Sequence, residues 1–222
     1  MNSNQTHNKL AVVLLPPNLI CYFRLFTLLL SLYMLKQTQH PIFWIFVLAL
    51  SDSLDALDGY LARRLEVSSH LGQILDYTCD RLTLSGGMLL CALFFPNYWF
   101  IFLLITLLDI GSHYVHLKAT YLNGNDNHKS INASMPKILR YYYGNRITLF
   151  ISCFMHDFFI CNFITYHYFP NALLVKIIFI ITFPWFIFKI IVHITQLYQS
   201  LQQIIVKDIN EKNLLTIRNN DL

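Results

Sequence analysis

The sequence predicts an all-α integral membrane protein with six transmembrane helices and both termini in the cytosol. Three observations carry this expectation. Hydrophobic residues make up 55% of the 222 residues and charged residues only 13%, whereas a soluble domain runs near 25% charged. Several apolar runs reach the roughly 20 residues that a helix needs to cross a bilayer. Lysines and arginines collect in alternate gaps between those runs, the asymmetry that marks cytosolic loops.

The first element is short. "LAVVLLPPN" cannot cross a bilayer, and Pro16 and Pro17 interrupt it just before Asn18, a favourable helix N-cap. Residues 1–17 are therefore expected to lie at the membrane surface. No small-residue cleavage site follows a short apolar core, so a removable signal peptide is not expected.

The membrane domain, 18–200, divides into six runs: about Asn18 to Lys36, Pro41 to Leu61, Leu71 to Phe95, Tyr98 to Leu117, Ile147 to Phe169 and Leu173 to Tyr198. With the N-terminus cytosolic, the cytosolic gaps hold Arg63 and Arg64, then Lys118, Lys129, Lys137, Arg140 and Arg146, then Lys207, Lys212 and Arg218. The opposite gaps hold only Lys36. The tail, 201–222, reads as polar and cytosolic, and as loosely ordered after Lys207. All five cysteines fall within the runs, and an odd number in apolar segments reads as buried reduced thiols rather than a disulfide framework.

The second and third runs carry acids, in "DALDGYLARRLEVSSHLGQILDYTCD" from Asp55 to Asp80. An acid at the centre of a membrane helix costs roughly 2.5–3.5 kcal/mol, so these side chains must face a polar cavity or a positive ligand. Asp55 and Asp58 are three apart and Asp76 and Asp80 four apart, so each pair occupies one helical face. The short Gly59 to Gly72 connection makes the two helices antiparallel neighbours with opposed acid faces near the cytosolic surface. Converging carboxylates repel unless cations lie between them, and oxygen-only ligands suit hard divalent ions. Two such ions, Mg²⁺ or alternatively Mn²⁺, would form a clamp for phosphoryl transfer. Gly59 leaves room for a ligand near the backbone, Gly72 permits close helix approach, and Arg63 one turn on can reach a phosphate. Taken singly, such glycines serve packing and such an arginine snorkels to the interface.

The set Asp55-x-x-Asp58-Gly59-x-x-Ala62-Arg63, eight residues, Gly72-x-x-x-Asp76-x-x-x-Asp80 resembles the signature of the CDP-alcohol phosphatidyltransferases at every fixed position. "PPNLICYFR", "DIGSHYVHL", "NDNHKSI" and "LRYYYGNR" are similar to segments of that family's eukaryotic inositol branch. The resemblance implies that Asp55, Asp58, Asp76 and Asp80 ligate two ions, with Asp80 also the catalytic proton acceptor. It implies that Gly59, Arg63 and Ser69 contact the CDP-diacylglycerol head. It further implies phosphatidyl transfer from CDP-diacylglycerol to myo-inositol with release of CMP, a homodimer, and residence in the endoplasmic reticulum or a related endomembrane.

The acceptor is the less specific half of this reading. Asp109, Ser112, His113 and His116 fall on a similar face of the fourth run and suit a polyol, though satisfied interhelical hydrogen bonds would use the same residues. Arg146 opens the fifth run and would complete an acceptor pocket with Asp109 and His113 if it points inward. The signature serves only the shared CDP half, so serine, glycerol phosphate or an amino alcohol remain alternative acceptors. Intramembrane acids also line ion pathways, but a divalent-cation transporter leaves Gly59 and Arg63 unexplained.

Overall fold

Proline marks where this chain starts its helices, a position that does not need the missing N–H. The computed structural model describes residues 9–37, 39–67, 69–122 and 135–220, and every regular element among them is helical. Pro16 opens α1 (Pro16–Gln37) and Pro41 opens α2 (Pro41–Arg64). Then come α3 (His70–Phe94), a 3₁₀ turn (Pro96–Tyr98), α4 (Trp99–Leu122), the short α5 (Lys137–Gly144), α6 (Arg146–Tyr168) and α7 (Leu173–Asn220). The "NDNHKSI" segment with Lys129 lies outside the described residues.

Two expectations change. Asn18 does not cap α1, because the helix already begins at the proline pair; its amide instead donates back to the Val12 carbonyl at 2.8 Å. The segment after Lys207 is not loose, since α7 runs unbroken for 48 residues. No glycine or proline interrupts residues 199–220, and Leu, Ile, Gln, Lys and Glu there are strong or adequate helix formers. Pro184 sits inside α7 without ending it.

Four segments, Pro16–Gln37, Pro96–Leu122, Arg146–Tyr168 and Leu173–Asn213, are long and apolar enough to cross a membrane. At 24 and 25 residues α2 and α3 have the length, but their acids and arginines hold them below the apolar standard. The solvent for which the surface is built is plain from what it shows. Phe26, Leu29, Ile42, Phe46, Leu89, Leu107, Leu174 and Ile180 are exposed, while Arg24, Asp109, His156, Lys189, His193 and Gln196 are buried. Hydrocarbon outside and polar groups paired inside is the arrangement a bilayer rewards.

The chain forms two compact units, Met1–Leu103 with Asp157–Phe179, and Leu104–His156 with Ile180–Leu222. In the first, α1 is the common partner, lying along both α2 and α3, which meet each other at few points. The opposed acid faces expected of α2 and α3 are thus brought together across α1. Small residues make the approach possible: a β-carbon on Gly86 would run into Leu32 of α1, and one on Gly87 would stand 2.9 Å from Ile160. The Tyr168 hydroxyl donates to the Leu35 carbonyl, tying the end of α6 to α1. In the second unit Met135, Leu139, Tyr142 and Val192 form a buried cluster, and the Lys207 ammonium donates to the Leu122 carbonyl at the end of α4.

Candidate metal centre

The link between the two acid-bearing helices is built by caps at both ends. The backbone N–H of Val67 reaches the Ala62 carbonyl at 3.1 Å and that of Glu66 reaches Arg63 at 3.4 Å, the paired bonds of a Schellman motif. The motif needs a left-handed residue, and Glu66 takes that place with φ of 54°. Two residues on from Val67, Ser69 caps α3, its hydroxyl accepting from Gly72 N at 3.0 Å. A turn fixed at both ends sets the register of Asp55 and Asp58 against Asp76 and Asp80.

Asp55, Asp76 and Asp80 do converge, each offering a carboxylate oxygen within 4.8 Å of the others. The side chain of Asp58 lies outside the described set. Between the three is the guanidinium of Arg24 from α1. Its Nη1 stands 2.9 Å from Asp55 Oδ1 and 3.4 Å from Asp76 Oδ1, and its Nη2 stands 3.1 Å from Asp80 Oδ1. Arg24 is 2% exposed. Its backbone is held as firmly as its head: Thr27 donates to the Ser51 hydroxyl at 2.8 Å, and Ser51 donates to the Arg24 carbonyl at 3.0 Å.

Three carboxylates gather round the Arg24 guanidinium, with Arg81 also acting on Asp80, and an all-oxygen donor set of this kind suits a hard divalent cation. Oxygens around one Mg²⁺ at about 2.1 Å stand about 3–4 Å apart, so these side chains fit such an ion with small adjustments. Asp55, Asp76 and Asp80 would hold it, and no sulfur or imidazole competes among them.

The neighbouring signature residues have defined places. A β-carbon on Gly59 would meet Arg63 Nη1 at 3.2 Å, so the space expected for a ligand is overlaid by Arg63's own guanidinium, on an exposed side chain. Gly72 is demanded more strictly, because a β-carbon there would stand 2.8 Å from Asn18 Oδ1 and 3.2 Å from Ser69 Oγ. Ser69, accepting from Gly72 N, keeps its own proton to donate.

A second polar cluster occupies the other unit. Asp109 Oδ1 stands 3.3 Å from His113 Nδ1 and 3.5 Å from His193 Nε2. His113 Nδ1 is also 2.9 Å from the Asp109 carbonyl, which can only accept, so that nitrogen carries a proton. Asp109, His113 and His193 each offer one ligand atom within 4.8 Å of the others, and His193 Nε2 makes no hydrogen bond among the described residues. Ser112 donates to the Asp109 carbonyl at 3.0 Å and therefore accepts from His193 Nδ1 at 3.1 Å. His116 meets Ser200 at 3.0 Å. Asp109 and His113 thus come together as the sequence suggests, while Arg146 opens α6 as an exposed residue and makes no described contact with them.

Arg24, His193 and Ser200 are the functional-looking residues that sequence reasoning passed over. Arg24 closes the "PPNLICYFR" stretch, and a lone arginine inside an apolar run was itself the available signal. His193 and Ser200 had no signal short of knowing which helix faces α4.

The CDP-alcohol phosphatidyltransferase family model matches residues 14–195. The chain is 34% identical over 219 residues to the CDP-diacylglycerol–inositol 3-phosphatidyltransferase of Saccharomyces cerevisiae, covering 96% of this chain and 99% of that protein. It is 32% identical over 181 residues to the protein of the same name in Candida albicans, covering 82% and 77%. The Homo sapiens protein of that name is 32% identical over 157 residues, covering 71% and 73%.

Proposed function

The chain belongs to the CDP-alcohol phosphatidyltransferase family, and from that premise we propose that it transfers the phosphatidyl group of CDP-diacylglycerol to myo-inositol, releasing CMP. The observation that carries the reading is the convergence of Asp55, Asp76 and Asp80 from two helices on one point. With Asp58 they would hold two divalent ions, Mg²⁺ or Mn²⁺. When bound, these ions supply charge neutralisation for the diphosphate and for the leaving CMP.

The chain's own groups then divide the work. Arg63, whose guanidinium lies over Gly59, binds the diphosphate together with that glycine's backbone, and the Ser69 hydroxyl donates to the same head. An inositol hydroxyl attacks the phosphorus attached to diacylglycerol, the new O–P bond forms as the bond to CMP breaks, and Asp80 takes the hydroxyl proton. Arg24 on Asp80 Oδ1 orients that carboxylate. For the acceptor we assign Asp109 and His113, with Arg146; His113, at 13% side-chain exposure against 1% for Asp109, is the accessible edge of the pair.

The finer setting is part of the same proposal: six transmembrane helices, counting α2 and α3 with the four apolar segments, both termini and the acid centre cytosolic, in the endoplasmic reticulum or a related endomembrane, as a homodimer. Alternating Lys and Arg between the helices supports the orientation.

The test is purified protein with CDP-diacylglycerol, Mg²⁺ or Mn²⁺ and separate alcohols, scored by CMP release. Metal-dependent release with inositol and little with serine, glycerol phosphate or an amino alcohol is the expected result. Release with serine alone would reassign the acceptor. No release with any alcohol would overturn the transferase reading.

A further inference from the structure

We propose that Arg24 is a resident countercation of the acid centre, occupying part of the electrostatic position that divalent ions take and thereby setting how tightly they bind. The inference rests on reading the three aspartates as metal ligands. Its own basis is separate: one guanidinium from α1 contacts Asp55, Asp76 and Asp80 at 2.9, 3.4 and 3.1 Å.

The argument is one of charge and reach. Without a cation between them, three carboxylates whose oxygens lie within 4.8 Å of one another repel even at side-chain exposures of 36–46%, and the centre would splay before any metal arrived. Arg24 supplies that cation from within the chain, keeping the ligands assembled. The same charge opposes an incoming dication. A guanidinium a few ångströms from a divalent ion repels it and weakens its binding by about tenfold or more.

Arg24 cannot resolve the conflict by leaving. Its side chain is 2% exposed, and the Thr27–Ser51–Arg24 carbonyl chain pins its backbone to α2. Cys21 and Leu28, on the same side of α1, are buried as well. The guanidinium therefore stays beside the ions it competes with and shifts among the carboxylate oxygens. The consequence is an acid centre that is preassembled but loads metal more weakly than its carboxylates alone would.

The test is direct metal binding, without substrate or turnover. Mn²⁺ is titrated into detergent-solubilised full-length protein and free Mn²⁺ is followed by electron paramagnetic resonance. Arg24→Gln is expected to bind Mn²⁺ about tenfold tighter or more than wild type, while its metal-free thermal midpoint falls. Arg24→Lys, which keeps the charge, is expected to stay within about threefold of wild type. Equal or weaker binding by Arg24→Gln with wild-type helicity overturns the proposal. Should Arg24→Gln not fold, the wild-type protein with ¹⁵N-labelled arginine side chains decides: the Arg24 signal, assigned with Arg24→Lys, should move on Mg²⁺ titration, and a signal that stays put overturns the proposal. Wild-type protein that binds no Mn²⁺ overturns the metal-centre reading along with it. Tight wild-type binding with no gain in Arg24→Gln overturns this inference alone.

Discussion

The carboxylate oxygens of Asp55, Asp76 and Asp80 approach within 4.8 Å of one another around one guanidinium, so each would be a large share of the proposed ligand set. Replacing Asp55 or Asp76 by Ala is expected to lower CMP release at subsaturating Mg²⁺ by at least about 100-fold while the far-UV spectrum stays helical. Near-normal turnover in either variant would remove that residue from the ligand set. Asp80→Asn keeps the shape and a ligating oxygen but cannot take a proton. It is expected to lose turnover with CDP-diacylglycerol binding retained, and lost binding with an intact turnover number would make Asp80 a binding residue instead. The aspartates were legible in the sequence because insertion cost and spacing together leave few roles for acids in apolar runs. Arg24 was legible only as a lone arginine in an apolar run, and its partners were not, because which side chain on α1 meets the acids depends on how α1 lies along α2 and α3.

At the scale of elements, the close packing of α1 on α3 depends on Gly86, whose added β-carbon would strike Leu32. Gly86→Ala is expected to destabilise the protein by about 1–3 kcal/mol, as overpacked sites do, read as a lower thermal midpoint in detergent. Leu32→Ala in the same chain should return part of that loss, and strict additivity of the two effects would rule out the contact as the cause. The cap after α2 argues the opposite sign. Glu66 occupies the left-handed position of the Schellman motif at φ 54°, where glycine has no steric penalty, so Glu66→Gly is expected to raise stability by up to about 1 kcal/mol. An unchanged or lowered midpoint would show that another contact holds Glu66 there. The start of α2 at Pro41 was readable, whereas Pro16 reads from sequence as a break before the helix rather than its first residue, and the long run of α7 was missed because polar composition says little about helicity when strong helix formers fill the segment.

At the scale of the molecule, the question is which alcohol the centre serves, and the polar cluster of α4 and α7 is where we propose that an uncharged polyol finds partners. Myo-inositol brings hydroxyls that donate and accept, and the cluster brings a carboxylate and two imidazoles, with His113 Nδ1 on the Asp109 carbonyl and His193 Nδ1 on the Ser112 hydroxyl. A site built on hydroxyl pairing rejects a ligand lacking those hydroxyls by factors of roughly 10⁴ or more, since buried polar groups are then left unpaired. Asp109 is nearly inaccessible, at 1% exposed, so its effect on the acceptor passes largely through the orientation of His113 and His193. Asp109→Ala is therefore expected to raise the inositol KM while leaving CDP-diacylglycerol affinity unchanged, and His113→Ala to do the same more strongly because His113 is the accessible member. A variant whose thermal midpoint falls while both substrate constants stay at wild-type values would make the cluster a clasp between α4 and α7 and move the acceptor elsewhere, with the metal chemistry of Asp55, Asp76 and Asp80 untouched.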